Sequence, residues 1–207
     1  MASLSAKIES ILENKGRIIL LANNPNIDDA VIHNIGINPN DLVVQFNKCI
    51  HHPKIKPLNS KKMYCYQSNH FGSAWGFKNT GEPERPFFTN VDAEDPNSVF
   101  AFSYSVPDVI SEYLRANNFR HPMFVITPGD FGGLVYPAGL VPSLGFLVTM
   151  LCDAVRSRMK AKGKHAFLYC VGFSGMMVSK ENKVWHDFFY EQHVLNSNKD
   201  IIRIAAA

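Results

Sequence analysis

Apolar positions along this chain follow two different periods. Short, nearly continuous apolar runs occupy residues 17–22, 42–47, 63–68, 98–105, 122–127, 165–173 and 201–204. Runs of that length without helical spacing predict strands, most of them buried on both faces of a sheet. Between them, apolar residues recur at three- and four-residue steps. Leu4, Ile8, Ile11 and Leu12 predict a first helix, with Gly16 as its stop. Asn26 is placed to cap a short second helix that carries Asp28 and Asp29 in its first turn and ends at Ile35 before Gly36. Pro107 opens a helix to about Asn117, with Val109, Ile110 and Leu114 on its apolar side. The longest helical pattern holds Leu147, Val148, Met150, Leu151, Ala154 and Val155. Pro142 opens it, and Arg156, Arg158, Lys160 and Lys162 close it where the dipole favours cations. A last helix begins near Trp185. Alternating strands and helices predict an α/β fold, a single Rossmann-like three-layer domain over residues 1–204 with a mostly parallel central sheet. Ala205-Ala206-Ala207 is read as a cloning remnant and set aside.

In such sheets ligands bind beyond the carboxyl ends of the strands. Asn23 and Asn47 stand at two of those ends, the first in the turn Asn23-Asn24-Pro25-Asn26. Their amides suit a ribose, a base or a phosphate, and turn asparagines also serve the backbone alone. The helix opening at Pro142, with Ser143 and Gly145 in its first turn, leaves amide groups able to hold an anion such as phosphate. An ordinary capped core helix has the same pattern. No G-x-G-x-x-G follows the first strand and no G-x-x-x-x-G-K occurs, which disfavours nicotinamide, flavin and P-loop nucleotide sites. There is no D-x-D pair to hold a metal-bound sugar nucleotide. Residues 48–97 are less regular. The glycine- and aromatic-rich stretch 69–77 and the polar, proline-bearing stretch 78–97 read as a lid over a site or as a surface excursion.

Composition narrows the class. The net charge of +3 and pI near 8.6 are too mild to imply nucleic acid. Lys48, His51, His52, Lys54, Lys56, Lys61 and Lys62 read as a solvated basic loop, with an anionic ligand or membrane surface as the alternative. The four cysteines (Cys49, Cys65, Cys152, Cys170) have neither C-x-x-C spacing nor a metal-site pattern. Cys65 and Cys170 fall in apolar runs as small core residues, and a reducing compartment is expected. Neither a signal peptide nor an uninterrupted membrane-length apolar run appears.

Three separated stretches, in order, resemble the animal-type sialyltransferases. Leu20-Leu21-Ala22-Asn23-Asn24-Pro25 through Asp41-Leu42-Val43-Val44-Gln45-Phe46-Asn47 is similar to that family's large motif. Pro142-Ser143-Leu144-Gly145-Phe146 with Leu151-Cys152-Asp153, then Tyr169-Cys170-Val171-Gly172-Phe173, resembles the small motif. His186-Asp187-Phe188-Phe189-Tyr190-Glu191 matches the very short motif H-x-x-x-x-E, with Ile201-Ile202-Arg203-Ile204 behind it. Departures accompany these matches. Ala22 and Gln45 replace a glycine and an arginine of the large motif. A Lys- and Arg-rich insertion at about 156–164 separates the small motif's helix from its strand. The cysteine that would pair with Cys152 is absent, Arg17 and Ile18 standing there. A further motif of that family, which usually supplies a histidine or tyrosine near the phosphate, has no clear counterpart here.

The resemblance implies a glycosyltransferase, in a variant of the GT-A-like fold, that moves a sialic acid-type sugar acid from CMP to a glycan hydroxyl. It implies inversion, no metal and no cofactor, the CMP-sugar being a substrate. His186 becomes the catalytic base, since an imidazole ordinarily titrates near neutrality. Glu191 becomes an orienting group. Asn23, Asn24, Asn47, Ser143, Leu144, Gly145, Gly172 and Phe173 become donor-binding residues. His193 and His70 read as solvated or structural. The partners implied are a CMP-activated sugar acid and a glycan acceptor from lipopolysaccharide, capsule or glycoconjugate, with no nucleic acid. A cytoplasmic bacterial relative is expected, with peripheral contact at the inner membrane left open. A CMP-Kdo-dependent transferase of surface polysaccharide synthesis, a non-catalytic nucleotide-binding module and an enzyme of another nucleotide, such as a methyltransferase, also stay open.

Overall fold

The computed structural model describes residues 3–13, 15–67, 95–103, 121–173 and 186–206. Its strands are β1 (Lys15–Leu21), β2 (Leu42–Phe46), β3 (Lys61–Gln67), β4 (Val99–Ser103), β5 (Met123–Ile126), β6 (His165–Val171) and β7 (Ile201–Ile204). They form one sheet in the order β5-β4-β3-β2-β1-β6-β7, and every pairing is parallel. The helices are α1 (Leu4–Leu12), α2 (Asp29–Ile35), α3 (His52–Ile55), α4 (Leu144–Ala161) and α5 (Phe188–Ser197).

Side-chain alternation along β1 explains the layers. Ile18 and Leu20 pack with Val44, Cys65 and the apolar face of α1 and α4, including Ile8, Leu147 and Leu151. Ile19 and Leu21 point the other way, onto Val43 and onto Ile32, Ile35 and Ile55 of α2 and α3. A strand with both faces covered has no place for polar residues, which is why the run reads as continuous. Each such side chain contributes about 1.5–3 kcal/mol by leaving water. The result is a Rossmann-like three-layer α/β domain. Among the described residues no helix is long and apolar enough to cross a membrane.

Local expectations need correction at several places. Gly16 does not end α1; it lies inside β1, and Glu13 caps the helix at φ 53°. Asn26 does not cap α2; Asp28 does, accepting from the Val31 amide at 2.8 Å. Pro142 is not helical, because Ser143 is the N-cap of α4. The basic cluster is not a solvated loop. His51, His52 and Lys62 are buried, and α3 and β3 run through the cluster. Through most of 156–164 the chain stays helical: α4 continues to Ala161, and Arg156 is buried between Asp153 (2.8 Å) and Asp200 (2.9 Å). The last helix starts at Phe188, capped by Asp187, so His186 precedes it. Arg17 forms a two-pronged ion pair with the buried Asp41 at 2.9 and 2.5 Å. The expected 107–117 helix, the 69–77 stretch, most of 78–97, His70 and Trp185 lie outside the described residues.

Candidate active site

The strand order places a switch point between β1 and β6. From β1 the chain steps outward through β2 to β5, then returns to β6 on the other side of β1. The helix after β1 (α2) packs on one face of the sheet and the helix after β6 (α5) on the other, the arrangement that opens a ligand crevice at the carboxyl ends of two such strands. Asn23, Asn24, Gly172 and Phe173 all belong to the loops after β1 and β6, and Asn47 follows the neighbouring β2.

The three asparagines are tied to the strand ends. Asn23 Nδ2 donates to the Phe46 carbonyl at 2.7 Å, joining β1 to β2. Asn24 Nδ2 donates to the Gly172 carbonyl at 3.2 Å, joining β1 to β6, while its Oδ1 accepts from the Asn26 amide. Asn47, at φ 46°, accepts the Gln67 amide at 3.1 Å, joining β2 to β3. Asparagine tolerates that left-handed backbone, which lets the turn be short. Their amides brace the crevice, as turn asparagines do. Buried His51 adds a fourth brace, its Nε2 donating to the Ala22 carbonyl at 3.1 Å.

Gly172 and Gly145 permit close packing there. A Cβ on Gly172, which sits at φ +73°, would stand 2.6 Å from Ile27. A Cβ on Gly145 would stand 2.9 Å from the Phe173 ring, which also meets Phe46 edge-on at 5.8 Å. Phe173 is thus laid against the first turn of α4, and Arg203 on β7 holds its carbonyl at 2.6 Å.

The start of α4 is partly filled by the protein's own groups. Ser143 Oγ caps the Phe146 amide at 3.2 Å and donates to Glu191 Oε2 at 2.6 Å. The Ser143 amide donates to Glu191 Oε1 at 2.7 Å, and the Tyr136 hydroxyl donates to the same oxygen at 2.8 Å. The positive helix end therefore already holds the protein's own carboxylate. Burial pushes the Glu191 carboxyl above its usual range, against the pull of those three donors. The Leu144 and Gly145 amides have no acceptor among the described residues. The Leu144 side chain itself is core.

His186 stands beside this cap. Its Nδ1 lies 2.7 Å from the Val141 carbonyl, two residues ahead of Ser143. A carbonyl only accepts, so Nδ1 carries the hydrogen, and in the neutral ring Nε2 keeps a lone pair. That is the tautomer a general base requires. The Phe188 ring contacts the imidazole edge-on at 5.5 Å. His193, by contrast, is exposed.

Tyr136 and Val141 had no functional signal in the sequence, while His51 stood out only as part of the basic cluster and Arg203 only in the stretch behind the H-x-x-x-x-E motif. Tyr136 sits in Gly132-Gly133-Leu134-Val135-Tyr136-Pro137, a loop without period. A separate cleft of about 670 Å³ between α2 and α3 is lined by Ile32, His33, Ile37, Pro53, Lys54 and Leu58, among others, and shares no residue with the strand-end crevice. Among the described residues no three His, Cys, Asp or Glu side chains cluster as a metal site. No family model, curated protein or solved structure matches the chain.

Proposed function

We propose that the crevice between β1 and β6 binds the CMP part of an activated sugar acid, and that His186 is the base that readies a glycan hydroxyl to receive the sugar. The reading is an inverting glycosyltransferase of sialyltransferase type, with the eight-carbon acid Kdo as the alternative donor sugar. The observation that carries it is the tautomer of His186, held by the Val141 carbonyl next to the α4 cap. Its support is that three motif-like segments, far apart in the chain, touch one another in turn: Asn24 bonds Gly172, Gly145 packs on Phe173, and Glu191 bonds Ser143.

In the proposed reaction the acceptor oxygen attacks the anomeric carbon from the face opposite the phosphate. The new C–O bond forms as the old one breaks, and its electron pair leaves with CMP. The acceptor proton passes to His186 Nε2. In this reading the amides of Leu144 and Gly145 receive the growing phosphate charge, a role that backbone donors fill without reorganising. Glu191 acts from behind, by fixing Ser143 and hence the helix start. Asn23, Asn24 and Asn47 shape the donor site through the backbone they brace.

Thermal-shift titration against CMP and other nucleotides in chelator tests the binding half, since a ligand of the native state raises its melting temperature. CMP release from CMP-sialic acid and CMP-Kdo tests the chemistry. A shift with CMP and release from either donor are expected. No shift with CMP, alongside one with a different nucleotide, would overturn the reading.

A further inference from the structure

We propose that Tyr136 is a positioning residue for His186, holding the base by its own peptide bond. This rests on the reading of His186 as the base. The amide of Asp187, which is the peptide joined to His186, donates to the Tyr136 hydroxyl at 2.8 Å. The same hydroxyl donates to Glu191 Oε1 at 2.8 Å. The imidazole is tied by Nδ1 to Val141, five residues along the same loop. One loop thus grips His186 twice, by its peptide through Tyr136 and by its ring through Val141.

The grip is anchored on both sides. The Tyr136 ring meets Tyr190 edge-on at 5.4 Å and lies 6.0 Å from Phe146 of α4. The Tyr190 hydroxyl donates to the Val135 carbonyl at 2.6 Å, closing the loop onto α5. Burial and the nearby Glu191 charge push the Tyr136 phenol well above its ordinary range, so it stays protonated and serves both bonds at once. A satisfied buried hydrogen-bond network restrains its members, and here it runs from Ser143 through Glu191 and Tyr136 to the His186 peptide. A misplaced base slows the chemical step without loosening a nucleotide held elsewhere.

Tyr136→Phe removes both bonds and keeps the ring. The expected result is a ten- to hundredfold fall in kcat with CMP affinity changed less than threefold. The Asp187 amide should exchange with deuterium at least tenfold faster, and the His186 ring should lose its single Nδ1–H tautomer in nitrogen NMR. Fluorotyrosine at position 136, which preserves packing and weakens the acceptor oxygen, should give the same changes in smaller degree, and it serves if Tyr136→Phe does not fold. Unchanged exchange and tautomer together with unchanged kcat would overturn the proposal, as would a fall in stability alone. Exchange and tautomer need no turnover, so they decide the role of Tyr136 even if the transferase reading fails.

Discussion

Glu191 closes the N-terminal end of α4 from another helix, receiving the Ser143 amide at 2.7 Å and the Ser143 hydroxyl at 2.6 Å. Removing the carboxylate strands these donors and the Tyr136 hydroxyl in a buried place. Glu191→Ala should therefore destabilise the fold by about 1–3 kcal/mol. Glu191→Gln should behave differently. Burial raises the carboxyl's folded pKa above its unfolded value of 4.5. Between those two values the native state binds more protons than the unfolded state, so stability falls as pH rises through that window. Glu191→Gln, which cannot ionise, should lack that slope in denaturant titrations run from pH 4 upward. An identical slope in both proteins would contradict the assignment.

Two glycines make different demands. Gly172 combines φ +73° with an Ile27 methyl 2.6 Å from any added Cβ. Gly172→Ala should cost about 1–3 kcal/mol in denaturant unfolding, from backbone strain and overpacking together. Gly145→Ala meets only the edge of the Phe173 ring, at 2.9 Å. Alanine's helix preference, about 1 kcal/mol, offsets that displacement, so stability should change by less than that. CMP binding should nevertheless weaken at least tenfold, because the ring and the first turn of α4 border the proposed donor site. Calorimetric titration with CMP reads the effect directly.

All four cysteines are free and buried. Burial pushes each thiol above its ordinary range, Cys170 to about 11. The thiolate is the reactive form, so native protein at pH 8 should resist iodoacetamide for hours. After unfolding without reductant, mass spectrometry should show four modified cysteines. Fewer than four would reveal a disulfide.

The sheet was legible because burial on both faces leaves a direct trace in sequence. Ile18, Ile19 and Leu20 are all fully buried, and no amphipathic alternation competes with that reading. Asn23 and Asn47 were legible for a related reason, since strand ends are where turn residues gather. The details of capping were not. Asp28 and Asn26 are both good caps by type, and only the geometry chooses Asp28. His51 and His52 looked solvated among lysines, yet the imidazoles turn inward, one to the Ala22 carbonyl and one to the Tyr64 hydroxyl. Tyr136 was invisible for a stronger reason. It meets Glu191 across 55 residues, and a single hydrogen bond between distant loops imposes no period on either segment.

His186 carries the account, and its substitution by alanine tests it most directly. With the Val141 carbonyl fixing Nδ1, only Nε2 is left to take a proton. His186→Ala should lower transfer, read as CMP release from the preferred CMP-sugar, by roughly two to four powers of ten. CMP affinity measured on the same folded protein should change less than threefold, because the proton comes from the acceptor and not from the nucleotide. His193→Ala, on the exposed side of α5, should leave both quantities near wild type. Folded His186→Ala protein that retains full transfer activity, or that loses CMP binding and transfer in equal measure, would contradict the assignment of His186 as the base.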